Sequence, residues 1–310
     1  MIEGQEGVTW QDWAALADAC ETSGLAALFR SDHYLSGDGL VGRGSHDAWT
    51  TLAALAARTS RIRLGTMVSP VTFRHPSLVA NAAMTVDHIS GGRAELGLGA
   101  GWYELEHQVY GFPFPPMAER MAMLEEQLEI VSRQWIEHEF SFSGNHYTLE
   151  RCQATFTPVQ SPLPVIVGGA GKKRTVELAA RFGHEYNVVS GEPDECRAVH
   201  RRIVEACSRL GRDPLRFSLM TTVLVGHNRD ELHRRGDRLG ELFYDGQSGE
   251  QLLAEHGDGW ICGTVDEAAE KLEALAAAGV QRAMLQHLDH RDLEAVHLFG
   301  SELAPRVSGL

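Results

Sequence analysis

Leu25-Ala-Ala-Leu-Phe-Arg-Ser-Asp-His33 is a short apolar run that stops abruptly on a carboxylate and an imidazole. It reads as a buried strand that delivers to its C-terminal tip the one side chain titrating near neutral pH. In α/β barrels and doubly wound sheets that edge is where ligands sit. A lone histidine is more often structural than chemical. The strand-tip position of His33 next to Asp32 reverses that expectation, and Asp32 is expected to fix its tautomer and raise its pKa.

The same strand-then-helix rhythm extends in both directions. Strands are predicted over 25–30, 62–67, 94–98, 164–167, 185–189, 217–225 and 282–286. Helices are predicted over 10–23, 48–59, 76–89, 117–135, 175–182, 193–210, 230–243, 265–278 and 290–303. Seven strands, each followed by helix, imply parallel pairing with right-handed crossovers. Met1–Gln5 supplies an eighth, stunted strand, which suggests a start that lies upstream or a barrel that closes on a stub. No G-x-G-x-x-G follows the first strand, so a doubly wound nucleotide-binding sheet is disfavoured. The expected fold is α/β: a (β/α)8 TIM barrel with insertions and a short or truncated first strand, one domain over residues 1–310. Phe140–Tyr147 alternates around a Gly-Asn turn and reads as a hairpin insertion, and the segment after Phe243 reads as a mobile loop. The pocket roof is expected from 35–47, 103–116 and 244–258.

Charge and cysteine content narrow the class. A formal net charge of −14 over 310 residues argues against nucleic acid or an anionic membrane as partner. The five cysteines are scattered and odd in number, which fits a reducing compartment better than a disulfide framework or a zinc site. Glu3 and Glu6 interrupt the N-terminus, so no signal peptide is read there, and no apolar stretch nears the ~18 residues of a membrane span. A cytoplasmic protein acting on a small molecule is expected.

Three further segments fall at strand ends. Leu64-Gly-Thr-Met-Val-Ser-Pro70 places Gly65 in a β-branched run, the mark of a bulge or a close backbone approach. Leu96-Gly-Leu-Gly-Ala-Gly-Trp102 leaves one face without side chains, against which a flat ring could lie, and ends in Trp102-Tyr103. Val165-Ile-Val-Gly-Gly-Ala-Gly-Lys-Lys-Arg-Thr175 turns from strand into helix with bare amides and three cations, an anion site without the G-K-[ST] of a P-loop. Phe73-Arg-His-Pro76, Asn187, Gln286 and His287 are smaller signals. His287 and His290 lack carboxylate or cysteine partners and are read as non-metal. A planar cradle, a phosphate site and one acid–base histidine suggest a flavin-like cofactor with a monophosphate tail.

With these residues the chain resembles the luciferase-like monooxygenase superfamily, and within it the deazaflavin (coenzyme F420)-dependent oxidoreductases. The resemblance is carried in order by Ser31-Asp-His33, Leu64–Val68, Phe73–Pro76, Ser90-Gly-Gly-Arg93, Leu98–Trp102, Arg120 with Leu124–Gln127, and Val167–Gly171. It implies a barrel with insertions, with Asp32 and His33 beside the ring and His33 as the acid–base partner. It also implies a non-proline cis peptide at Met67–Val68, next to Thr66, supporting the back of the ring. Gly168, Gly169, Ala170 and Gly171 match the family's phosphate loop, Gly99, Gly101 and Trp102 the segment flanking the ring, and Asn187 is a further cofactor candidate. The implied activity is F420-dependent hydride transfer to or from a small organic substrate. An FMN-dependent monooxygenase or a non-catalytic flavin or deazaflavin binder are the alternatives. Relatives commonly form homodimers and usually begin several residues earlier. The sugar-phosphate dehydrogenase branch carries a carboxylate near the position of Trp102, which this chain lacks.

Overall fold

The computed structural model describes residues 1–37 and 42–309. Its strands are β1 (Ala27–Arg30), β2 (Arg63–Thr66), β3 (Ser69–Pro70), β4 (Ala94–Gly99), β5 (Glu139–Ser143), β6 (Thr148–Gln153), β7 (Val165–Gly168), β8 (Glu185–Val189), β9 (Arg216–Gly226), β10 (Ile261–Thr264) and β11 (Arg282–Gln286). The main helices are α1 (Trp10–Ser23), α2 (Ala48–Arg58), α3 (Pro76–Ser90), α4 (Glu104–Tyr110), α5 (Met117–Gln134), α6 (Lys173–Phe182), α7 (Pro193–Arg209), α8 (Arg229–Phe243), α9 (Gly249–His256) and α10 (Val265–Ala277).

Parallel pairing runs β1-β2-β4-β7-β8-β9, and β11 lies on the first half of β9. The N-terminal stub then joins the two edges. Met1 N donates to Leu285 O at 2.9 Å and His287 N donates to Met1 O. On the other side Ile2 N donates to Phe29 O and Ser31 N to Ile2 O. The stub, β1, β2, β4, β7, β8, β9 and β11 are the eight staves of a (β/α)8 barrel, as expected, and two residues suffice for the first.

Alternate residues of each strand face opposite ways. Leu28, Leu96, Val165, Val167, Phe217 and Leu219 pack outward in the layer shared with the helices, beside Trp13, Leu16 and Ala17 of α1. Phe29, Met67, Ile166, Met220 and Met284 form a separate apolar cluster that fills the barrel. Below it, at the strand starts, Glu95 pairs with Arg63 and lies 2.7 Å from Arg282, which in turn lies 3.4 Å from Glu185. Each buried charge there has an opposite partner, the condition for tolerating it. An apolar plug over a charged floor leaves the C-terminal mouth as the place for a site.

Several expectations are corrected. Strand β10, unread in the sequence, pairs with Val223–Gly226, the part of β9 that overshoots the barrel. The segment after Phe243 is not a loop throughout, because α9 forms behind a capping box of Ser248 and Gln251. The helix expected over 290–303 is a six-residue helix, Leu293–Leu298, running into a π-turn, Phe299–Leu303. The 140–147 hairpin is present as β5–β6, with the second strand reaching Gln153. Of the 35–47 roof, residues 38–41 lie outside the described residues.

Candidate active site

Strand β1 ends at Arg30, and the next three residues enter the mouth. Ser31 and Asp32 are buried, and the His33 side chain keeps 17% exposure. His33 Nδ1 lies 2.8 Å from Oε2 of Glu106, a fully buried carboxylate on α4. Glu106 also accepts from the Tyr34 and Leu35 amides, the second at 3.0 Å. An acceptor-only carboxylate at Nδ1 requires the proton there and leaves Nε2 as the free nitrogen. Burial alone would push the imidazole down; the hydrogen bond and charge of Glu106 outweigh it, with Glu3 and Asp32 adding, so the His33 pKa is raised.

Asp32 therefore does not fix the His33 tautomer, although its charge helps to raise the His33 pKa as expected. Its carboxylate turns from His33 to Arg74 Nη1 and Ser69 Oγ, each at 2.5 Å. Arg74 continues to Asp47 at 2.6 Å and to the Tyr34 hydroxyl at 3.0 Å. Phe73-Arg-His-Pro76 thus contributes the cation that locks the strand tip, and His75 caps α3. Asp32 acts on His33 only through the field of its charge.

The Met67–Val68 peptide is cis, as the resemblance implied. After it the chain rejoins the sheet as β3, paired with Leu98 and Gly99. Thr66 Oγ1 donates to Gly97 O at 3.1 Å. The glycines of β4 turn out to serve this bulge. A Cβ on Gly97 would meet Thr66 O, and one on Gly99 would lie 2.7 Å from Val68 Cγ2. The bare face is covered by the protein itself, by Thr66 and Val68. Two residues beyond the strand, Gly101 turns the chain with φ 77°.

Trp102 follows, 65% exposed, stacked on Tyr103 at 4.9 Å and edge-on to His33 at 5.8 Å. The Tyr103 hydroxyl donates to Ser36 O at 2.7 Å, so the rigid ring of the pair is the inner one.

At β7 the Gly168–Gly171 turn is held from behind. Gly169 N donates to Asn187 O, and Gly171 N donates to the buried Tyr186 hydroxyl at 3.0 Å. That hydroxyl also bonds Thr175, and a Cβ on Gly169 would lie 2.8 Å from it. The Gly171 amide is therefore committed. Helix α6 begins at Lys173 with no side-chain cap, which leaves its first-turn N–H groups, beside Ala170 and Lys172, for an anion. The Asn187 side chain points to Ser218 at 2.8 Å and contributes through its backbone.

Glu3 completes the mouth. Gln286 Nε2 donates to its Oε1 at 2.5 Å and Gln5 Nε2 to its Oε2 at 2.9 Å, while Ser31 and Thr222 hydroxyls join this ring at Gln5 and Gln286. His287 and His290 stand apart: His287 Nε2 lies 3.1 Å from Asp292 O, and burial pulls its pKa down to about 4. Sequence reasoning missed Glu106 and Glu3. For Glu106 the only signal was two glutamates, 104 and 106, in one short helical turn.

A closed barrel with its polar groups gathered at the strand C-termini defines an α/β barrel that works at that mouth. The chain belongs to the luciferase-like monooxygenase family, whose model matches residues 2–282. It is 26% identical over 319 residues to an F420-dependent glucose-6-phosphate dehydrogenase of Segniliparus rotundus, covering 94% of this chain and 92% of that protein. It is 32% identical over 185 residues to the enzyme of the same name from Amycolatopsis mediterranei, covering 59% of this chain and 54% of that one; in that match the chain spans about half the relative's length. An F420-dependent secondary alcohol dehydrogenase, solved with an F420–acetone adduct, superposes with a TM-score of 0.81 at 19% identity, covering 99% of this chain and 97% of that one. No helix among the described residues is long and apolar enough to cross a membrane.

Proposed function

We propose that this chain is an F420-dependent oxidoreductase acting on a small organic molecule, with His33 as proton donor and acceptor. The observation that carries this reading is the His33–Glu106 pair at the tip of β1. A histidine whose Nδ1 is committed to a buried carboxylate offers Nε2 to the mouth as base when neutral and as acid when protonated. The relatives named F420-dependent support the choice of cofactor.

The residues present fit such a group. Val68, with Met67 and Thr66, would back the ring, and Gly99, Gly101 and Trp102 would flank it. Gly168, Gly169, Ala170 and Gly171 with the uncapped start of α6 would hold the phosphate, with Asn187 bracing that loop. When bound, the deazaflavin supplies a two-electron hydride acceptor or donor. His33 Nε2 takes the substrate's proton on oxidation and returns it on reduction. Glu106 keeps the imidazole in one tautomer, and the Asp32–Arg74 pair fixes the backbone that carries it. The whole of 1–310 serves as one barrel domain, in the cytoplasm given five unpaired cysteines, and as a homodimer.

The family match favours an FMN-dependent monooxygenase as second reading, because FMN also carries a single phosphate on its ribityl chain. Titrating the purified protein with F420 and with FMN, each by fluorescence, decides between them. Tighter binding of F420 is expected; binding of FMN alone sinks the proposal, and binding of neither removes both readings.

A further inference from the structure

Helix α6 spans 10 residues and lies between α5 with 18 and α7 with 17. A cavity of about 660 Å³ opens along it, lined by all three helices. Its charged lining is four cations, Lys173, Arg174 and Arg181 of α6 and Arg209 of α7, against two carboxylates, Glu125 and Glu177. Each carboxylate is shared. Glu125 pairs with Arg181 and lies 3.8 Å from Arg174. Glu177 lies 3.5 Å from Arg209 and 3.9 Å from Lys173. Two positive charges are left over, and the exposed Lys172, at the N-cap of α6, adds a third. In a chain of net charge −14 this excess is local.

The cavity starts at the first turn of α6, where the phosphate of the cofactor is expected, and runs to its last. From Lys173 to Arg181 that is about 12 Å of helix. F420 and FMN differ at that phosphate. In FMN the chain stops there. In F420 the phosphate is a diester, and the chain continues through a lactyl unit into γ-linked glutamates, one side carboxylate to each.

We propose that the cavity along α6 is a subsite for the carboxylates of that tail, with Lys173 and Arg174 at its near end and Arg181 and Arg209 at its far end. The proposal rests on the F420 reading above and deepens it. Exposed ion pairs are individually weak, each worth a factor of about 5 or less. Tethering changes their weight. Once the phosphate is seated, the tail is held beside the cations and each contact forms within one complex. A free oligoglutamate has no such anchor. The same exposure makes the subsite sensitive to salt, which screens charges in water over about 8 Å at physiological ionic strength.

Fluorescence titration of the full chain with long-tailed F420 and with tailless F420, which ends at the lactyl phosphate, tests it. At low ionic strength the long-tailed form is expected to bind about tenfold tighter. The gap should close in about 0.5 M NaCl. Arg181→Gln combined with Arg209→Gln is expected to remove the gap and leave the tailless dissociation constant unchanged. Glu177→Gln releases Lys173 and Arg209 and should widen the gap, a gain that misfolding does not produce. Equal affinity for the two forms, or a gap that survives the double variant, overturns the tail subsite and leaves the F420 reading standing. Competition by free γ-linked triglutamate at the concentrations that saturate long-tailed F420 overturns it in favour of a general site for acidic peptides. Binding of neither form of F420 overturns both readings.

Discussion

Glu106 Oε2 lies 2.8 Å from His33 Nδ1 across 73 residues of sequence, while Asp32, the immediate neighbour of His33, bonds elsewhere. The residue that tunes the acid–base group comes from a helix two strands away. The adjacent carboxylate is spent on holding the strand tip.

His33→Ala removes the proton carrier without touching the Val68 wall or the start of α6. Turnover is expected to fall about 10²–10⁴-fold while the F420 dissociation constant changes little. Steady-state kinetics together with fluorescence titration check both halves. Unchanged turnover would remove His33 from the chemistry.

Glu106→Gln keeps the shape but discards the charge that holds the imidazolium. The His33 pKa should fall, so the acid limb of the oxidation rate and the alkaline limb of the reduction rate both move to lower pH. There is a stability counterpart. Because the folded pKa is raised, the contribution of His33 is fully present below its ordinary value of 6.5 and is lost as pH rises through the folded value. The variant should show less of this loss in urea midpoints measured across that range. A pH–rate profile that stays in place would show that Glu106 has no hold on the titration.

Arg74→Met strands the buried Asp32 without its cation. Breaking a buried pair from one side costs about 3–5 kcal/mol, and Asp32→Asn in the same chain should recover part of it. Asp47 adds a pH signature. Burial would raise its pKa, but the Thr50 amide and Arg74 outweigh that and hold it well below the usual carboxylate range. The stability it contributes is present above its ordinary 3.8 and lost on further acidification. Urea unfolding at neutral and acid pH checks this; a cost under about 1 kcal/mol would leave Arg74 a solvated charge.

Gly99→Ala sets a methyl 2.7 Å from Val68 Cγ2. Overpacking of this kind costs about 1–3 kcal/mol, and Val68→Ala should relieve it. A double-mutant cycle read by thermal or urea unfolding is expected to show strong non-additivity. Simple additivity would mean that Val68 does not occupy the face of Gly99.

Much of this was legible in the chain because it depends on local pattern. Alternating apolar runs and helical periods, punctuated at Ser23-Gly24 and Ala278-Gly279, gave the barrel, and the eight-residue hairpin signal at 140–147 gave the insertion. Strand β10 escaped because Ile261–Thr264 is four residues long and abuts the capping box of α10. Helix α9 escaped because Tyr244-Asp-Gly-Gln-Ser-Gly reads as turn chemistry, and only Ser248 and Gln251 carry the start signal. The glycines of 97–101 were legible as a bare face, but not what lay on it.

The sequence by itself determined which residues could do chemistry and which strand ends would present them, since side-chain type and strand–helix order are local properties. Only the tertiary structure decided partnership. Whether His33 pairs with Asp32 or Glu106, and whether the β4 glycines face open space or Val68, depend on the packing of residues distant in the chain. Hydrogen bonds and Coulomb fields act over a few ångströms of space, and spacing along the chain does not report that distance.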